Sequence, residues 1–163
     1  MRFIPSASLP HAAPRIAQLQ YDSWGHLYPS ASVERSTQDL LNNRWDPDEP
    51  ETVRFSWFAV DDADAVLGVA MLVFDGEVEP ADELTLPGPW FAGLVVEPSA
   101  RTHGVGSALL QHVVDNAREM GFTRLRLVTE TKTDFYERRG WTVERVVTLN
   151  SIPNTVMFTT LEV

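Results

Sequence analysis

The chain has 163 residues, 44% of them hydrophobic, 10% aromatic and 22% charged, which is the composition of a globular chain and the length of about one domain. It contains no cysteine, so a disulfide scaffold, a thiolate metal site and a cysteine nucleophile are all excluded. Its net charge of −10 argues against nucleic acid and anionic membranes as partners, because phosphates would meet like charge instead of releasing counterions to Lys and Arg.

The charge is uneven along the chain. Residues 1–100 hold 5 Lys and Arg against 16 Asp and Glu, whereas residues 101–163 hold 8 against 7. Residues 1–6 lack the apolar core of a signal peptide, and no apolar run approaches the ~18 residues of a membrane span, so the expected location is the cytoplasm.

The first forty-five residues read as helical. Ala13, Ile16, Ala17, Leu19, Ser23 and Leu27 recur at helix spacing behind Pro14, with Pro29 as the stop. A second helix is expected after Ser32, a cap, with Glu34 at its positive end and Val33, Leu40 and Leu41 as its buried side. Residues 46–53 are an acidic, proline-punctuated loop, after which the period becomes extended. Residues 55–60 and 66–74 are expected to form a hairpin about the turn at 61–65. A second acidic loop, 75–89, follows; it is long for a connection, and long loops are disproportionately functional.

Residues 90–96 form an uncharged strand, stopped by Pro98. Val105, Ala108, Leu109, Val113, Ala117 and Met120 then mark the clearest helix, ended by Gly121, and 125–129 is again a strand. Strand, helix and strand make a right-handed crossover with the two strands parallel. A short helix over 133–139 stops at Gly140, and strands at 143–147 and 155–161 close the chain about a turn at 151–154. Neither an internal repeat nor a low-complexity tract is present. These elements describe a single α/β domain over residues 1–163.

Chemistry concentrates where the uncharged strand meets the clear helix. Arg101, Thr102, His103, Gly104, Val105, Gly106 and Ser107 make a loop whose glycines let backbone N–H groups approach an anion at a helix N-terminus. Arg101 adds a cation and Ser107 a donor; the plainer alternative is a tight strand-to-helix turn. Ser107 stands where a P-loop needs Lys, and Leu109 stands where a dinucleotide fingerprint needs a third glycine, so both of those cradles are excluded.

The run Arg101-Thr102-His103-Gly104-Val105-Gly106 resembles the cofactor motif of the GNAT superfamily of acetyl-CoA-dependent N-acetyltransferases. Asp134-Phe135-Tyr136-Glu137-Arg138-Arg139-Gly140-Trp141 is similar to that superfamily's Phe-Tyr-x-x-x-Gly-Phe element, with Trp in the last place. The resemblance implies a mixed, mostly antiparallel sheet with a splayed parallel strand pair, flanked by helices. It implies that acetyl-CoA is the acetyl donor, with its pyrophosphate at residues 101–107 and its pantetheine arm along the backbone of Leu94, Val95 and Val96. One N–H of that strand would polarise the thioester carbonyl.

Tyr136 occupies the family's position for the acid that protonates the leaving thiolate; thiols titrate near ~8.5 and phenols near ~10 in water. The strand at 90–96 carries no carboxylate, although some branches of the superfamily keep a glutamate base there. Glu130 is the first substitute, with Asp82, Glu83, His103 or a water chain as alternatives. His11, His26, His103 and His112 lack metal-ligand spacing and read as surface or packing residues, so no metal is expected. Residues 24–29 join the first two helices, where relatives rim the acceptor pocket, or else form an apolar patch beneath the helix.

The implied activity is direct attack of a primary amine on the thioester in a ternary complex, the acceptor being a small molecule or a peptide. A non-catalytic acyl-CoA-binding regulatory module is the alternative, and homodimers are common among relatives. Acidic loops at 46–51 and 75–83 favour a cationic acceptor.

Overall fold

The computed structural model describes residues 1–75 and 86–162. Seven strands form one sheet in the order β1-β2-β3-β4-β5-β7-β6. They are β1 (Arg2–Pro5), β2 (Arg54–Val60), β3 (Val66–Val73), β4 (Trp90–Val96), β5 (Arg124–Thr129), β6 (Thr142–Leu149) and β7 (Ile152–Thr160). Among the described residues only β4 and β5 pair in parallel, and the structure bears out the mixed, mostly antiparallel sheet with helices on both faces.

Side-chain alternation along β2 and β3 decides which helix lies on which face. Phe58, Val60 and Val69 point to α1 (Ala13–Trp24) and α2 (Val33–Leu41), where they pack with Ile16, Leu19 and Leu40. Trp57, Ala59, Ala70 and Leu72 point the other way, to α3 (Val105–Glu119), and meet Val105, Leu109 and Val113. Leu109 is wholly buried, and truncating such a leucine to alanine typically costs about 2–5 kcal/mol. Ser32 caps α2 as expected, its Oγ accepting from the Arg35 N–H at 3.1 Å.

Several boundaries differ from the sequence reading. β1 lies inside the stretch read as helical; four residues are too few to show a period, and the strand forms because Phe3 and Ile4 pair with Ala59 and Phe58 of β2. The first helix ends at Trp24 rather than near Pro29, and residues 25–27 turn more tightly as a 3-10 helix. Leu27 still reaches the core from that turn, which explains why it completed the apolar stripe. The last turn centres on Asn150 and Ser151, both at positive φ, the conformation a two-residue hairpin prefers. Pro153 therefore lies inside β7, beyond Thr155, where β5 no longer pairs, so its missing N–H leaves no ladder bond to β5 unmade. α4 (Thr133–Glu137) is a single short turn of helix.

Candidate active site

Two irregularities of β4 create the site. Val69 pairs with Val95 and Met71 with Ala92, so Gly93 and Leu94 together face Ala70 in a bulge. Gly93 has φ +68°, and a Cβ there would lie 2.6 Å from Met71 Sδ. Both backbone and space thus require glycine. Buried Gln20 holds the bulge from α1, its Nε2 donating to the Gly93 carbonyl at 3.1 Å.

The second irregularity is the parting of β4 from β5, which pair only at Trp90 and Arg126. Beyond that point a cleft of about 1050 Å³ opens, with Leu94, Val95 and Val96 on one wall and Leu127, Val128 and Thr129 on the other. The splayed pair expected of these residues is present, and the backbone of β4 borders the cleft.

At the end of β4 the chain turns through residues 98–100 into the glycine loop. Glu97 is fastened to α1 by Arg15, whose Nη2 and Nε donate at 2.9 and 3.3 Å. Thr102 and Gly104 take φ +69° and +78°, which turns the loop into the start of α3. The first helical bond runs from the Ala108 N–H to the Gly104 carbonyl at 3.0 Å, leaving the N–H groups of Val105, Gly106 and Ser107 without intrahelical acceptors. Together with the helix dipole they form an anion seat. A Cβ on Gly106 would reach 3.8 Å from Val96 Cγ2, so its absence leaves open the space between loop and strand.

Arg101 folds back onto β4, its Nε donating to the Val96 carbonyl at 3.2 Å; its Nη groups remain for an anion. A second cation stands at the cradle that the sequence reading did not single out. Arg139 Nη2 donates to Ser107 Oγ at 2.7 Å, Nη1 donates to the Phe135 carbonyl at 2.8 Å, and the guanidinium lies 3.7 Å over the Phe135 ring. Phe135 is half-buried: it lines the cleft and packs against the core cluster that holds Tyr136. Trp141 is buried.

Tyr136 enters from the α3 face, packed edge-on against Phe91, Phe135 and Trp141 with ring centroids 5.0 to 6.3 Å away. It lines the cleft, and its hydroxyl has no hydrogen-bond partner among the described residues. Burial raises its pKa to about 12, and the positive charge of Arg139 opposes part of that rise.

Glu130 follows β5 and also lines the cleft. It is tied toward the opposite face, its Oε2 lying 2.9 Å from His26 Nε2 in the 3-10 turn after α1. His26 therefore has a definite partner rather than a scattered surface role. His103 is exposed and does not line the cleft, which leaves its loop backbone as its contribution; Asp82 and Glu83 lie outside the described residues. His112 packs away from the cleft, stacked on Phe3 at 4.3 Å. Loop 46–51 does not border the cleft either. Among the described residues no group of three or more His, Asp or Glu could hold a metal, and no helix is long and apolar enough to cross a membrane.

Of the residues missed from sequence, Gly93 carried a usable signal, since a glycine inside a strand suggests a bulge. Arg139 and His26 carried none, because their partners lie 32 and 104 residues away.

The fold is similar to that of an aminoglycoside 6'-N-acetyltransferase complexed with coenzyme A, at 19% identity and TM-score 0.70 over 100% of this chain and 98% of that one. It is similar to the aminoglycoside 6'-N-acetyltransferase from Enterococcus faecium, at 20% identity and TM-score 0.68 over 100% and 98%. A ribosomal-protein-alanine N-acetyltransferase from Brucella melitensis gives 15% identity and TM-score 0.70 over 99% and 100%. No curated protein matches the sequence. The profile of the acetyltransferase (GNAT) family matches residues 13–141, the span that carries the bulged strand, the glycine loop and the Tyr136 motif, and the chain belongs to that family.

Proposed function

We propose that residues 1–163 act as one domain that transfers an acetyl group from acetyl-CoA to a primary amine, by direct attack within a ternary complex. The observation that carries this reading is a single cleft bordered by the three free N–H groups opening α3, the parted backbone of β4 and the Tyr136 hydroxyl. A thioester supplies an activated acetyl group. The residues from Arg101 to Ser107, with Arg139, hold the pyrophosphate through backbone N–H groups and guanidinium charge. The backbone of Leu94, Val95 and Val96 offers hydrogen bonds to the amides of the pantetheine arm, and one N–H of that strand would stabilise the carbonyl oxygen as negative charge develops on it.

The remaining work is movement of two protons. Glu130 accepts one from the acceptor's ammonium, which must be lost before nitrogen can form its bond to the acetyl carbon. Tyr136 gives its proton to the sulfur as the carbon–sulfur bond breaks. The chain has no cysteine to carry the acyl group, in keeping with direct transfer.

Release of free thiol from acetyl-CoA in the presence of a panel of amines, with mass detection of the acetylated product, tests this reading. Amine-dependent release is the expected result. Thermal stabilisation by CoA with no turnover on any amine would identify a cofactor-sensing module instead.

A further inference from the structure

The acceptor side of the cleft contains a pair whose geometry reaches beyond proton acceptance. Glu130 Oε2 lies 2.9 Å from His26 Nε2; an ionised carboxylate can only accept, so the imidazole proton sits on Nε2. His26 is held from a second side as well. Its backbone carbonyl accepts from Asn150 Nδ2 at 2.7 Å, with Asn150 fixed at φ +48° in the β6–β7 turn. The 3-10 turn after α1, the end of β5 and the β6–β7 turn are thereby joined at one residue. Glu130 Oε1 has no partner among the described residues.

The wall that continues from this pair is apolar. Trp24, Leu27, Tyr28, Met71 and Val128 belong to one packed cluster and all line the cleft. Gln20 and Ser23 also line the cleft, but their side chains already donate to the Gly93 and Leu19 carbonyls; Asn154, only 2% exposed, precedes the register partner of Thr129 and so stands at the same end of β5–β7 as Glu130. Its Nδ2 donates to the Ile152 carbonyl at 3.1 Å, which fixes the amide's orientation and leaves Oδ1 without a donor. Among the described residues, Asp39 is the other carboxylate lining the cleft. Arg54 already holds it through bonds of 3.2 and 2.8 Å.

We propose that the His26–Glu130 pair seats the ammonium of the acceptor and that the apolar wall beside it selects a primary amine carried on an apolar stem. This inference rests on the transfer reaction proposed above. One carboxylate oxygen is engaged by His26 and the other is open to one N–H, an arrangement matched to a single ammonium. A polycation brings its second charge into a cleft also lined by Arg35 and Lys132. His26 is a positioning residue: it fixes the carboxylate and takes no proton from the amine.

The test is steady-state thiol release at saturating acetyl-CoA, with phenethylamine and hexylamine compared against spermidine and kanamycin. The monoamines are expected to show kcat/KM at least about tenfold higher. Glu130→Gln should lower amine kcat/KM by about 100-fold, and His26→Ala by about tenfold, with the KM for acetyl-CoA unchanged in both. His26→Gln, whose Nε2 can donate the same hydrogen bond, should recover to within about threefold of wild type. A preference for spermidine or kanamycin overturns the inference while leaving the transfer reaction standing. So does a result in which His26→Ala matches wild type, or His26→Gln is as impaired as His26→Ala. Binding of CoA without turnover on any amine overturns the transfer reaction itself, and this inference with it.

Discussion

Tyr136 is surrounded by three aromatic rings and lifted to a pKa of about 12, so it carries its proton throughout any practical assay range. That is the protonation state the proposed general acid needs, while a value so far above a thiol's ~8.5 makes it a weak acid toward sulfur. Tyr136→Phe removes one oxygen and leaves the ring contacts in place. It should reduce kcat by about 100-fold without moving the dissociation constant for CoA, as separate kinetic and calorimetric measurements will show. Because deprotonation of Tyr136 lies near 12, the wild-type kcat profile should show no alkaline fall from this group below about pH 10. Gly104 acts through the backbone instead. A Cβ on it meets nothing within 4 Å, yet its φ is +78°, where a residue other than glycine costs about 1–2 kcal/mol. Gly104→Val should relieve that strain by turning the loop and misdirecting the N–H groups of Val105 to Ser107, and CoA affinity should fall by about tenfold or more; calorimetric titration checks it.

Among the elements, the parting of β4 from β5 depends on what holds their closed end. Arg126 of β5 donates to both Glu144 oxygens on β6 at 2.9 and 3.1 Å, and to the Pro87 carbonyl, just before β4, at 2.7 Å. Its side chain is only 9% exposed, and deleting one partner of such a pair strands the other charge. Glu144→Ala should therefore cost about 3–5 kcal/mol in urea denaturation. Hydrogen bonding from Arg126 draws the Glu144 pKa below its ordinary 4.5 against the opposing effect of burial. The folded state thus holds its proton more weakly than the unfolded chain does. The stabilisation is complete above the unfolded value and disappears as pH falls through the lower folded one, so wild type should lose more stability than Glu144→Ala on acidification below about pH 4.5. This bidentate tie was invisible in the sequence, as were the His26–Glu130 and Arg139–Ser107 contacts, because each joins residues that no local pattern connects. α3 was legible since it buries one regular face, and the glycine loop since backbone conformation restricts the residue type. The Gly93 bulge was legible in part: a glycine inside a strand suggests one, but its two-against-one register with β3 is specified by neither strand alone. β1 is a strand through its pairing with β2 rather than through its own four residues.

At the scale of the molecule, residues 1–100 hold 16 carboxylates against 5 cations. Four of those five arginines are already paired within the fold: Arg2 with Asp64, Arg15 with Glu97, Arg44 with Glu49 and Arg54 with Asp39. The acidic excess therefore acts outward, on solutes. Asp48 and Glu51 are exposed on a loop that does not border the cleft, so any attraction they exert on a cationic amine is long-ranged and not a contact. Such attraction extends over a Debye length of roughly 30 Å at 10 mM salt and shrinks to about 10 Å at 100 mM. For phenethylamine, which is cationic at neutral pH, kcat/KM should fall severalfold between those concentrations while kcat at saturation stays constant. Asp48→Asn with Glu51→Gln should raise the amine KM by about two- to threefold at 10 mM salt and leave it unchanged at 300 mM, where screening has already removed the loop's reach. A KM indifferent to salt in both proteins would restrict the acidic excess to keeping the molecule in solution and leave acceptor capture to the cleft alone.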